Sequence, residues 1–356
     1  MFENAVKLLK DSAARHDFPG AAYAVGIGDK VLLKGHFGVR QEEPEVLELK
    51  EDTLFDMASL SKILGTTLIA LRYIEQGKLG LYDEVGMFFD NAYDKAGITI
   101  KQLMTHCSGL HPSLHLWELT ETPDQVADAI LKSEFTYPTG SKVSYSCMGF
   151  ILLAKILEKI GGAPLDVLAQ QEVFGPLGMK TACYNPKTEN VVTTEWSRWH
   201  GGWVKGHVHD ENAWYQGGVS GNAGVFASID DMIRVATMLS NNGTIDGEVY
   251  LSDRMMDLAT KNYTPGMGEA RGLGFQLKDN CYSAGGDMIS DGSFGHTGFT
   301  GTAMYIDSQT GLYVVLLTNA VHYGREGRDG FFRTRRMFFN SVVGEYMRAL
   351  SAGEVE

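Results

Sequence analysis

Apolar side chains recur every three or four positions over residues 2–16, and the pattern stops ahead of Pro19-Gly20. That period predicts an opening helix with one dry face. Residues 21–27 and 30–35 read as two strands around Gly28-Asp29, a short hairpin signal. The helical period returns over 59–76 and ends at Gly77, then recurs at 100–105, 123–132 and 148–160. Two more helical runs follow, 230–238 and 252–260, before strand-like segments at 301–306 and 312–318 and an amphipathic closing helix over 331–350.

Strands at both ends with helices between them predict a sheet built from the two termini and a mostly helical inserted lobe, an α/β (α+β) fold. On that reading residues 1–58 and 225–356 form a discontinuous α/β sheet domain, 59–185 the helical lobe, and 186–224 a loop region near the cleft. The stretch 195–222 is aperiodic and holds Trp196, Trp199, Trp203 and Trp214 among glycines, so it either walls a pocket or packs as a surface loop. There is no internal repeat, linker or low-complexity tract.

A chain of 356 residues with 44% hydrophobic and 21% charged residues buries a large core. Its net charge of -13 repels nucleic acid and anionic membranes, and neither is expected as a partner. Cys107, Cys147, Cys183 and Cys281 stand far apart without a C-x-x-C pair, which argues against a zinc ribbon or thioredoxin-like site. The first ten residues lack the apolar core of a secretory signal, and no segment approaches membrane-spanning length. A cytoplasmic protein is expected, or an exported one if a leader has been removed; the oligomeric state is left open.

Ser59-Leu60-Ser61-Lys62 opens a helical run, so Ser59 and Lys62 share one face, i and i+3, within hydrogen-bond reach. A serine hydroxyl needs a base, and a lysine serves only when burial or another cation lowers its pKa. Alone the tetrad is weak, since composition yields about one S-x-x-K by chance in a chain this long; a helix-start serine and a solvated lysine account for it equally well. His207-Val208-His209-Asp210 invites a metal reading, but no third ligand stands nearby at a suitable spacing, and no metal is expected. A G-x-S-x-G elbow is absent, which disfavours the α/β-hydrolase fold; neither a dinucleotide fingerprint nor a phosphate loop appears, and no organic cofactor is expected.

Two later segments change the weight of the tetrad: Tyr145-Ser146-Cys147, leading into a helical run, and His296-Thr297-Gly298. With Ser59-x-x-Lys62 they resemble the S-x-x-K, Y-x-N and K-T-G or H-T-G motifs of the penicillin-recognising serine hydrolases. Residues 55–58, 98–110 and 221–226 are similar to the class C-like branch, with its β-lactamases, D-alanyl-D-alanine peptidases and carboxylesterases. The resemblance runs from about Phe18 to Ala320.

It implies a β-lactamase/penicillin-binding-protein-like fold and acyl transfer to Ser59 followed by hydrolysis, on a small ester, amide, D-alanyl peptide or β-lactam. Lys62 corresponds to the activating lysine and Tyr145 to the tyrosine that shares its proton traffic. His296, Thr297 and Gly298 correspond to the edge strand that aligns the acyl group, and the N–H groups of Ser59 and Phe299 to the oxyanion hole. Cys147 stands where the family has asparagine, and its thiol is a poor partner for a substrate amide. A neutral His296 in place of lysine attracts a substrate carboxylate more weakly. The alternatives are a carboxylesterase on the same machinery and a non-catalytic ligand-binding relative.

Overall fold

The computed structural model describes residues 1–279 and 282–354 of the chain; Cys281 lies outside them. Seven antiparallel strands form one sheet, in the order Gln276–Leu277, Phe294–Thr297, Ala303–Ile306, Leu312–Thr318, Gly20–Ile27, Lys30–Gln41, Leu47–Glu48. The N-terminal hairpin therefore docks against the last strand of the chain, with Ala21 opposite Thr318 and Ile27 opposite Leu312. These central strands are buried on both faces, and alternate residues sort to opposite sides.

Tyr23, Val25, Val314 and Leu316 meet the terminal helices Glu3–Ala13 and Asp329–Ser351 through Leu9, Phe338 and Val342. Ala22, Ala24, Val315 and Leu317 face the helical side, where the helices Leu68–Glu75, Cys147–Gly161 and Ile229–Ser240 bury Leu68, Ile151 and Val235 in the larger core. The architecture is α+β, as the motif set implied.

A smaller sheet joins Phe55–Asp56 and Cys183–Tyr184 to Val225–Ala227, and Met57 donates its N–H to the Val225 carbonyl at 2.9 Å. It fixes the chain just before Ser59.

Three local readings are corrected. Residues 59–76 are not one regular helix: a 3₁₀ turn, Ala58–Leu60, leads through a π turn, Ile63–Thr67, into Leu68–Glu75. Such turns mark places where tertiary contacts override local propensity, frequently functional ones. Residues 195–222 are not all loop, because Thr193–Ser197 and Gly202–Lys205 form a hairpin and Glu211–Tyr215 a short helix. Phe294–Thr297 is the second strand from the sheet's end: Gln276–Leu277 lies outside it but pairs only with Gly295 and Phe294. Thr297 and His296 thus keep an open outer edge.

Candidate active site

Ser59 sits on the 3₁₀ turn because the residues before it are pinned. Ala58 has φ 45°, a left-handed conformation that costs an L-residue about 1–3 kcal/mol. Buried Asp56 holds it there: one carboxylate oxygen accepts from the Ala58 N–H at 2.8 Å, the other from the His209 N–H at 2.7 Å. Burial pushes the Asp56 carboxyl above the ordinary range, and these two backbone donors oppose the shift. The turn after the His296 strand is stitched to the same loop, with the Thr300 and Thr302 hydroxyls donating to the carbonyls of Asp56 and Met57. Gly298 is required there, since a Cβ would stand 2.5 Å from the Met57 carbonyl oxygen. No hydrogen bond among the described residues engages the N–H of Ser59 or Phe299.

Lys62 is fully buried, and Ser59 is half-buried. The three ammonium donors reach the Ser59 hydroxyl at 3.1 Å, the Asn222 carbonyl at 3.0 Å and the Cys147 sulfur at 3.6 Å. Burial pushes the Lys62 pKa down; the anionic forms of Cys147 and Tyr145 push it up and carry it above the ordinary lysine value. Burial raises both of those acids as well, so near neutral pH they are uncharged and their upward push is missing, which leaves only the last and smallest one, from the Asp210 carboxylate. Desolvation, the largest of these contributions, outweighs that of Asp210, so the direction that governs at neutral pH is downward. Ser61 points elsewhere, accepting from the Val225 N–H at 3.0 Å.

The Tyr145 ring lies 4.9 Å from the lysine nitrogen, and its buried hydroxyl has no hydrogen-bond partner of good geometry among the described residues. His106 packs against that ring at 4.5 Å and accepts the Ser146 N–H on Nδ1 at 3.1 Å, so its Nε2 carries the proton. Burial pushes His106 well below the usual histidine range, leaving it neutral. His296 donates Nδ1–H to the Thr297 carbonyl at 2.7 Å, and its Nε2 lone pair is buried without a partner. Burial, then Arg271 and Lys62, hold its pKa at about 3.

Ser59, Tyr145, His296, Thr297, Gly298 and Phe299 share a cavity of about 410 Å³ with Arg271 and Arg335. A larger groove of about 810 Å³ lies on the helical lobe beside Asp128 and Lys159, and holds none of the motif residues. Cys147 contacts Lys62 behind that cavity, beside the side-chain amide of Asn222. The sequence motifs are brought together, whereas His207 and His209 are not a pair. His209 bonds Glu195 at 2.8 Å and stacks on Phe299, while His207 packs against Trp214. Among the described residues no three metal-ligating side chains converge.

The tryptophans divide too: Trp196 and Trp203 line a separate cavity of about 380 Å³ with Glu42 and Tyr323, and Trp199 and Trp214 gather around His200. Sequence reasoning missed Asp56, His106, Asn222, Arg271 and Arg335. The first three fell inside quoted motif segments, which was the available signal.

This fold, with a lysine-held serine at a cavity mouth, defines a serine hydrolase that works through an acyl-enzyme. The chain belongs to the beta-lactamase family, whose model matches residues 5–336. It is 31% identical over 343 residues to an N-acetylmuramyl-L-alanine amidase of Bacillus subtilis (strain 168), covering 86% of this chain and 78% of that protein. Among solved structures it is similar to EstCE1, described as a hydrolase with promiscuous acyltransferase activity: TM-score 0.76, 21% identity, 96% of this chain and 99% of that one. A class C beta lactamase from Rhodobacter sphaeroides superposes with TM-score 0.76 at 19% identity, over 96% and 99% of the two chains. Among the described residues no helix is long and apolar enough to cross a membrane.

Proposed function

We propose that Ser59 is the nucleophile, Lys62 its base, and a small ester or amide the substrate. The observation that carries this is the 3.1 Å contact between the Ser59 hydroxyl and a fully buried lysine nitrogen. Neutral Lys62 takes the hydroxyl proton as Ser59 Oγ attacks the carbonyl carbon. The N–H groups of Ser59 and Phe299 receive the oxyanion, an interaction whose loss typically costs about 2.7–4 kcal/mol. The proton passes by way of Tyr145 to the departing oxygen or nitrogen, and water then releases the acyl group.

Thr297 and Gly298 align the acyl group along the open strand edge. Cys147, a poor partner for a substrate amide, favours esters over β-lactams. Intact-mass measurement after a fluorophosphonate and after p-nitrophenyl acetate tests the assignment. One label on the Ser59 peptide, lost in Ser59→Ala, is expected; label on Ser61 or Ser146 overturns it.

A further inference from the structure

The cavity beside Ser59 holds more positive charge than one carboxylate neutralises. Arg271 and Arg328 line it with Arg335, and Glu269 is the single acid. Arg271 is 4% exposed and gives Nε and Nη2 to Glu269, while its Nη1 is buried without a partner among the described residues. Arg335 is 5% exposed and makes no hydrogen bond or ion pair with any described residue. Its guanidinium lies over the rings of Phe331 and Phe332. Arg328 spends donors on the carbonyls of Phe299 and Arg325. Burial, with repulsion from Arg335, pulls its pKa down.

A guanidinium does not shed its proton inside a protein, so its charge is met only by a partner. Leaving it buried and unpaired is costly. In a chain of net charge -13, such a cluster does not follow from composition. Arg271 keeps one free end, Nη1, and Arg335 a whole free fork, and they enter from separate elements: Arg271 from the stretch bridged to Gln276, Arg335 from the helix Asp329–Ser351. The planar fork of Arg335 matches a carboxylate two bonds at a time, and the Arg271 Nη1 offers a second carboxylate one charged donor.

We propose that the leaving group of the substrate carries two carboxylates, one for Arg271 and one for Arg335, as a dicarboxylic amino or hydroxy acid does. This rests on the acyl-enzyme reading above. Tyr145, which passes the proton to the departing atom, lines the same cavity with the Arg271 guanidinium 5.6 Å from its ring, so the departing fragment lies on the arginine side. The acyl carbon–oxygen or carbon–nitrogen bond breaks, the bond to Ser59 Oγ forms, and the serine proton ends on the leaving acid.

Three esters of one N-acylated amino acid, with 2-propanol, lactate and malate as leaving groups, test it; both enantiomers of each hydroxy acid are assayed. Each added carboxylate should raise kcat/KM about tenfold, the size of one charge-assisted contact. Arg335→Leu should erase the malyl-over-lactyl preference, and Arg271→Gln the lactyl-over-isopropyl one. Free succinate should inhibit about tenfold more tightly than propionate, a readout independent of turnover. Equal rates for lactyl and malyl esters, a malyl preference that survives Arg335→Leu, or parity of the two inhibitors overturns the inference. If all three esters turn over equally, the acyl-enzyme reading survives and this one falls. If none acylates Ser59, both fall.

Discussion

Replacing Cys147 with Asn separates the lysine's role from the substrate's. The lysine nitrogen has two oxygen acceptors, at 3.1 and 3.0 Å, and one sulfur at 3.6 Å. Cys147 opens the helix Cys147–Gly161, capped by the Ser146 hydroxyl accepting the Gly149 N–H, so the exchange leaves the cap in place. An amide oxygen in place of sulfur turns a weak contact into a charge-assisted one. Such bonds are worth about 1.5–3 kcal/mol against about 0.5–1.5 for ordinary ones, a gain of about 1 kcal/mol for the ammonium. At 1.36 kcal/mol per unit, the Lys62 pKa rises by about 0.7.

In the role proposed for Lys62 the base works neutral, so kcat/KM should climb as pH rises through that pKa. Stabilising the ammonium therefore moves the ascending limb toward higher pH by about 0.7 unit. On the plateau above the limb, ester turnover should hold. Acylation by a β-lactam should rise by about 5- to 150-fold, as its side-chain amide recovers the 1–3 kcal/mol of an unpaired buried polar group. Stopped-flow kcat/KM for p-nitrophenyl acetate and for a chromogenic cephalosporin, from pH 5 to 10, reads both effects. A limb that stays put or moves toward acid refutes the role given to Lys62. Unchanged β-lactam acylation shows that position 147 does not meet the substrate.

Lys62→Met should slow acylation by about 10²- to 10⁴-fold, the loss expected for a general base, without lowering Tm; near-normal acylation would transfer the role to Tyr145. His296→Gln should leave the pH profile between 5 and 8 where it is, because the histidine, at about 3, is already neutral there; a shifted limb in kcat/KM would contradict that. Asp56→Ala strands the buried N–H groups of Ala58 and His209 and should cost about 2–6 kcal/mol in urea unfolding, at about 1–3 kcal/mol for each donor. A loss under 1 kcal/mol would mean that the Ala58 conformation stands without the carboxylate.

The fold was legible because its signals are local. Nearly unbroken apolar runs in 21–27 and 312–318 mark the two central strands, and the terminal amphipathic helices announce the face they cover. The i, i+3 spacing of Ser59 and Lys62 was legible in the same local way, but its weight came from the distant segments 145–147 and 296–298. What remained hidden is non-local or lies in the backbone. The third partner of Lys62 is the carbonyl of Asn222, an atom every residue owns, and no sequence pattern marks it. The φ of Ala58 depends on a carboxylate that also binds residue 209.

Arg335 is the instructive miss, because its signal was present. Phe331, Phe338 and Val342 repeat at helical spacing and lie in the core, and position 335 falls on the same stripe. An arginine there interrupts an apolar face exactly where packing alone asks for another apolar side chain. Its head finds no acid among the described residues but does find a cavity. A charge on the dry face of a helix is as much a sequence observation as a motif is. Here it singles out the side of the cavity on which the short motifs say nothing, because those motifs record how the acyl bond is broken and not what leaves.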